Sequence, residues 1–187
     1  LVNFKLRHIC VFSIKKLMES KKNLVLIGMM ASGKSTIGYL ISKRLNINFV
    51  DIDKIIEKEM KMKIYDIFKK KGEIFFRKLE EKTTINFLKS YNNVISLGGG
   101  GFLNKKIRDE IISHHLSFWL NWEAKTLINR INKNKTRPLA ASLSNLEIND
   151  LILSRSKIYS KANFEIDCNQ HTKNEIVKKI ISLYENN

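Results

Sequence analysis

Residues 28 to 36 read Gly28-Met29-Met30-Ala31-Ser32-Gly33-Lys34-Ser35-Thr36, which fits the pattern G-x-x-x-x-G-K-[ST]. The run follows the apolar stretch Leu24-Val25-Leu26-Ile27 and precedes Ile37, Leu40, Ile41 and Leu45 at helical spacing. A strand, a loop and a helix start are therefore expected in that order. Such a junction aims successive backbone N–H groups and the positive end of a helix dipole at one point, which makes it a phosphate site. In that setting Lys34 reaches the β- and γ-phosphates of a nucleoside triphosphate, and the Ser35 hydroxyl ligates Mg²⁺.

Other residues suited to phosphoryl transfer follow. Asp51 and Asp53 stand one residue apart at the end of a second apolar run, Ile47 to Val50. One carboxylate can face a metal ion beside the phosphate loop and the other a substrate hydroxyl; alternatively, either simply caps a helix beginning at Lys54. In Phe76-Arg77-Lys78-Leu79-Glu80, Glu80 lies one helical turn from Arg77 and can hold its guanidinium. The helical stripe Ile148, Leu151, Ile152, Arg155, Tyr159 places an arginine where an apolar side chain is expected. An inward-facing guanidinium requires an anion. Gly98-Gly99-Gly100-Gly101 holds more glycines than a tight turn uses, so this backbone is expected to approach a ligand closely and offer it N–H groups. Arg137-Pro138-Leu139 lies in a stretch without apolar periodicity, Asn132 to Asn145, and Arg130 precedes it on a helix with Leu127, Ile128 and Ile131. A loop arginine of this kind can swing onto a transferring phosphoryl group.

The elements that must position these groups are legible in the apolar pattern. Short runs at 24–27, 47–50, 94–97, 116–120 and 164–166 read as five buried strands. Segments of 3.6-residue periodicity separate them, which implies a parallel sheet covered on both faces, with binding chemistry at the strands' carboxyl ends. Capping boxes at Ser144/Glu147 and Thr172/Glu175 mark two helix starts. The second opens a terminal helix with Ile176, Val177, Ile180, Ile181 and Tyr184 on one stripe.

With 187 residues, 43% of them hydrophobic, the chain suits one α/β domain. The expected organisation is an N-terminal extension over 1–17 and a single domain over 18–187, with a mobile lid at about 132–146. Leu1 to Leu17 carries basic groups and no acid, and Met18 lies where a domain of this kind usually begins. No apolar stretch approaches the length of a membrane span, and the two cysteines, Cys10 and Cys168, form no disulfide framework. A soluble, cytoplasmic, monomeric protein with no membrane partner is expected. The net charge of +16 comes from lysine pairs and triplets scattered along the chain, such as Lys15-Lys16, Lys69-Lys70-Lys71 and Lys178-Lys179. They read as solvated helix faces, and no nucleic-acid partner is expected.

The ordered set of motifs, from the Gly28–Thr36 loop through Asp51-x-Asp53, Arg77-x-x-Glu80, Gly98-Gly99-Gly100 and Arg137-Pro138-Leu139 to Arg155-x-x-x-Tyr159, closely resembles the shikimate kinase family over about residues 22 to 184. It departs at Ala140, where the family usually has a second Leu, in the fourth glycine, and in a shortened lid around Ser142 to Asn145. The resemblance implies a three-layer α/β/α P-loop kinase with a five-stranded parallel sheet of order 2-3-1-4-5 and a mobile lid. It implies phosphorylation of the shikimate 3-hydroxyl by ATP, with Mg²⁺ as cofactor, in the biosynthesis of chorismate and the aromatic amino acids. By the same resemblance Ala31, Ser32, Gly33, Lys34, Ser35 and Thr36 would hold ATP, Arg130 would lie against adenine, and Arg137 would close with the lid over the phosphates. Ser35 would ligate the metal directly and Asp51 through water. Asp53 would orient the acceptor hydroxyl and could serve as its base. Arg77 and Arg155 would take the substrate carboxylate, with the Gly99 amide also in contact. A gluconate or nucleoside monophosphate kinase would share the loop and lid but not this combination. A non-catalytic ATP-binding module would have lost Lys34, Asp53 or an arginine, and all are present.

Overall fold

The computed structural model describes residues 22–133 and 143–187. Five strands, β1 (Leu24–Ile27), β2 (Asn48–Asp51), β3 (Asn93–Ser96), β4 (Leu116–Asn121) and β5 (Phe164–Asp167), form one sheet of order β2-β3-β1-β4-β5. All four pairings are parallel, with Leu24 beside Val94 on one flank and Leu116 on the other. The expected strands each appear within one residue of their expected bounds.

Seven α-helices among the described residues complete the layers: α1 (Lys34–Leu45), α2 (Ile52–Met60), α3 (Ile64–Leu88), α4 (Lys105–His114), α5 (Ala124–Lys133), α6 (Asn145–Tyr159) and α7 (Lys173–Glu185). Alternation along β1 decides which layer meets which. Leu24 and Leu26 pack with Ile37 and Ile41 of α1 and Ile176, Val177, Ile180 and Tyr184 of α7. Val25 and Ile27 belong to the opposite core with side chains from α2 to α6. Because both faces are covered, β1 reads as a continuous apolar run and is essentially inaccessible to solvent.

Both capping boxes form, at Ser144/Glu147 and Thr172/Glu175. The stripe of α7 is buried at Ile176, Val177, Ile180 and Tyr184 and half-buried at Ile181. Helix α3 is two helical segments joined at Gly72, whose φ of 81° and ψ of 166° break the helical geometry. Only glycine adopts that backbone readily. The break changes the direction of the chain between the segment bearing Tyr65 and Phe68 and the one bearing Phe76, Arg77 and Glu80.

At the amino-terminal edge of the sheet, polar side chains close the core. The Asn23 side-chain oxygen accepts the Asn93 backbone N–H at 3.0 Å, and the Asn23 backbone N–H donates to His115 Nδ1 at 3.3 Å. His115 is buried and its Nε2 has no hydrogen-bond partner among the described residues. Burial holds its pKa below the usual histidine value. The expected lid centre, with Arg137, lies outside the described residues. Of its flanks, Asn132 donates through its side-chain amide to the Asn145 side chain at 3.0 Å.

Candidate active site

The loop after β1 turns back on itself through positive φ angles at Gly28, Ala31 and Gly33. Gly33 is the N-cap of α1 and supplies no side-chain cap, which leaves the helix start suited to an external anion. Lys34 is buried, and its Nζ donates to the carbonyls of Gly28 at 2.9 Å and Met29 at 2.8 Å, and to Ser32 Oγ at 3.4 Å. Its ammonium is thereby held inside the curl of the loop. Ser35 is half-buried and Thr36 exposed at the first turn.

At the end of β2, Asp51 is the N-cap of α2, and its side chain accepts the Lys54 N–H at 3.2 Å. The helix starts at Ile52, so Asp53 lies in its first turn, where a negative charge is favoured. The capping role and a place in the site are both realised by Asp51, since it also lines the cleft described below.

Arg77 and Glu80 form the expected one-turn pair, with Nη1 donating to Oε2 at 2.7 Å. Glu73, one turn earlier, accepts from Arg77 Nε and Nη2 at 3.1 and 3.0 Å. Burial works against the Arg77 charge, but Glu80 and Glu73 outweigh it, so its pKa lies above the ordinary arginine value. Burial also pushes the Glu80 carboxyl up, against the pull of Arg77, and the nearby Asp53 charge adds to that push.

Arg155 is 7% exposed and Tyr159 2%, facing the core as the stripe requires. Arg155 Nη1 donates to the Gly99 carbonyl at 3.2 Å and lies 3.8 Å from Met29 Sδ, while its Nε has no hydrogen-bond partner among the described residues. None of the ion pairs among the described residues includes it. The Tyr159 hydroxyl donates to the same Gly99 carbonyl. Burial raises its pKa to about 12, which keeps it a donor across the working pH range.

The glycine run has a steric cause that its sequence only partly suggested. None of its members has positive φ. A Cβ on Gly98 would stand 2.5 Å from Glu80 Oε1 and 2.6 Å from Asp53 Oδ1, and one on Gly100 would stand 2.7 Å from Arg77 Cζ. The run makes room for the charged side chains that gather there.

Together these elements wall a cleft of about 730 Å³ at the carboxyl edge of the sheet. Ser35, Asp51, Asp53, Arg77, Gly99 and Arg155 all line it beside Phe68, Phe76 and Glu80, whereas Ala31, Ser32, Gly33, Lys34 and Thr36 do not. Arg130 does not line this cleft; its guanidinium stacks 3.8 Å above the Trp122 ring. Trp122, Glu73 and the Tyr159 hydroxyl are contacts of these groups that the sequence reading did not single out. Glu73 was detectable from its i, i+4 spacing to Arg77, whereas Trp122 acts across 90 residues of sequence, bonding to Ser32.

This geometry sets the loop after β1 beside a cleft lined by Asp51, Asp53, Glu80 and two arginines, Arg77 and Arg155. The family model described as Shikimate kinase matches residues 30–185. This chain belongs to the shikimate kinase family. A shikimate kinase of Bartonella quintana (strain Toulouse) is 35% identical over 184 residues, covering 96% of this chain and 88% of the relative. The crystal structure of the shikimate kinase of Aquifex aeolicus superposes with a TM-score of 0.78 at 38% identity, covering 88% of this chain and 97% of the other. The shikimate kinase of Acinetobacter baumannii, solved in complex with shikimate, gives a TM-score of 0.83 at 27% identity, with 90% and 95% covered. The five-stranded order is that of a shikimate kinase family member, and the chain is an ATP-using kinase. Among the described residues, no helix is long and apolar enough to cross a membrane.

Proposed function

We propose that this kinase transfers the γ-phosphoryl group of ATP to the 3-hydroxyl of shikimate. The observation that carries the reading is Arg155, a buried guanidinium with no ion pair among the described residues, lining the same cleft as Arg77, Asp53 and Ser35. A buried cation without a protein anion is costly, and a substrate carboxylate removes that cost. Arg77, already oriented by Glu73 and Glu80, supplies a second fork to the same carboxylate. With the acid end so fixed, the acceptor hydroxyl falls to Asp53, which orients it and accepts its proton as the bond to phosphorus forms. Lys34 and the amides of residues 31 to 36 hold the phosphates, and Arg137 closes over them.

No group of three or more His, Cys, Asp and Glu side chains among the described residues is arranged to enclose a metal ion. Mg²⁺ needs no such cage, because it keeps several waters and is held by one or two protein oxygens plus substrate phosphates. The Ser35 hydroxyl and the Asp51 carboxylate, both opening on the cleft, form an all-oxygen set of that kind. When bound, such an ion supplies neutralisation of phosphate charge.

The test is ADP release coupled to a spectrophotometric assay. Turnover should require shikimate, ATP and Mg²⁺ together, and equal release with gluconate or a nucleoside monophosphate as acceptor would overturn the assignment.

A further inference from the structure

Trp122 follows the last residue of β4, and its side chain touches two things that bear on the nucleotide. Its indole Nε1–H donates to the backbone carbonyl of Ser32 at 2.9 Å, and its ring carries the Arg130 guanidinium at 3.8 Å from the centroid. The first contact acts on the phosphate loop. Ser32 C=O and Gly33 N–H belong to one planar trans peptide and point in opposite directions. Holding the carbonyl toward Trp122 therefore fixes the Gly33 N–H to face away from it, at the residue that caps α1. The second contact acts on Arg130. An arginine on a solvated helix has many rotamers, and a stacked ring at this distance selects one while leaving the outer face of the guanidinium free to stack again.

We infer that Trp122 is a positioning residue for the nucleotide: one side chain sets both the Gly33 amide that meets phosphate and the Arg130 plane that meets the base. The inference rests on the reading of Arg130 as a nucleobase contact. Register explains how Trp122 arrives there. Ile27 pairs with Trp119, so the chain leaving β4 runs alongside the chain leaving β1, and the phosphate loop and Trp122 emerge side by side. A tryptophan meets both demands at once, since it offers a donor and a broad π-face; phenylalanine offers only the face, and histidine a weaker one.

The experiment is calorimetric titration of the full chain with ADP in the presence of MgCl₂, and separately with shikimate. The proteins are wild type, Trp122→Phe, Trp122→Ala, Arg130→Ala and Trp122→Ala/Arg130→Ala. Trp122→Ala should weaken ADP roughly 5-fold or more, the loss expected of one hydrogen bond and one cation–π contact. Trp122→Phe, which keeps a ring and folds most like wild type, should weaken it about 2-fold or more from the lost donor alone. Shikimate affinity should stay within about 2-fold in both, and Arg130→Ala should cost less in the Trp122→Ala background than in wild type. Unchanged ADP affinity in both tryptophan variants while Arg130→Ala weakens binding would overturn the inference alone, as would additive effects or an equal loss of shikimate affinity. Normal ADP binding by Arg130→Ala would overturn the nucleobase reading of Arg130 and the inference with it.

Discussion

Arg155 and Tyr159, one turn apart on α6, donate to the same acceptor, the carbonyl oxygen of Gly99. The guanidinium proposed to bind substrate is thus anchored at one end, and the glycine backbone beside it is held by two donors from a single helix. Tyr159→Phe keeps the buried ring and removes one donor. It should lower kcat/KM for shikimate roughly 2- to 12-fold, the range for one neutral hydrogen bond, with KM for ATP unchanged. Steady-state kinetics in both substrates check this, and an equal rise in the two KM values would count against it.

The two arginines should differ in what their loss does to stability. Arg77→Ala strands Glu80, a buried carboxylate that would have only solvent-poor surroundings, at a cost of about 1–3 kcal/mol, or roughly 2–12 °C in Tm. Without Arg77 the folded-state pKa of Glu80 rises further above its unfolded value. The folded protein then binds a proton that the unfolded chain releases, so stability falls as pH rises above about 4.5. The Tm deficit of Arg77→Ala should therefore be larger at pH 8 than at pH 5.5, by differential scanning fluorimetry. Arg155→Ala removes a buried cation that none of the ion pairs among the described residues includes, and its Tm should stay level or rise. Each variant should lose roughly 10- to 150-fold in kcat/KM, from about 1.5–3 kcal/mol of charge-assisted bonding, and lysine at either position should rescue poorly.

The glycine run separates into residues that must lack a side chain and one that need not. Gly98→Ala drives a methyl group into Glu80 and Asp53 and should lower kcat more than 10-fold if Asp53 acts as proposed, because a misplaced reacting carboxylate is costly at even small displacements. On Gly101 a Cβ would meet Glu80 and Leu97 at 3.5 Å, an ordinary contact, and its φ is not positive. Gly101→Ala should keep activity and stabilise by about 0.4–1 kcal/mol through the unfolded chain. Kinetics and melting curves on the pair measure the contrast.

His115 supplies a pH dependence remote from the site. Its folded-state pKa lies below the unfolded value near 6.5, with Glu110 opposing the shift and His114 and Lys22 adding to it. Between the two values the unfolded chain binds a proton that the folded chain refuses, so stability drops as pH falls below about 6.5. His115→Gln keeps an acceptor for Asn23 without a titrating ring, and its Tm should fall less than that of wild type between pH 7 and pH 5.

How much of this was legible in the sequence depended on how local the cause was. The strands follow from short continuous apolar runs, both capping boxes from a Ser or Thr three residues before a Glu, and the inward turn of Arg155 from the 3.6-residue period of its helix; each cause lies within one element, and all appear as expected. The Arg77–Glu80 pair follows from helical spacing in the same way. The break at Gly72 was not read, because one glycine in an otherwise helical pattern is usually tolerated. Nor was the reason for the glycine run, which is set by side chains from α2 and α3 arriving through tertiary structure. Trp122 belongs to the same class: its two contacts exist only once β1 and β4 are paired.

That pairing has a consequence for synthesis. The first strand among the described residues is central in the sheet, and its neighbours begin only at Asn93 and Leu116. While the ribosome is still adding those residues, β1 is a finished apolar segment with both hydrogen-bonding edges open. A nascent or truncated chain ending before Leu116 carries the complete phosphate loop and none of its support from β4. Such fragments should gather chaperones or aggregate, and the ability to bind nucleotide should arise late, in one step, as β4 closes onto β1.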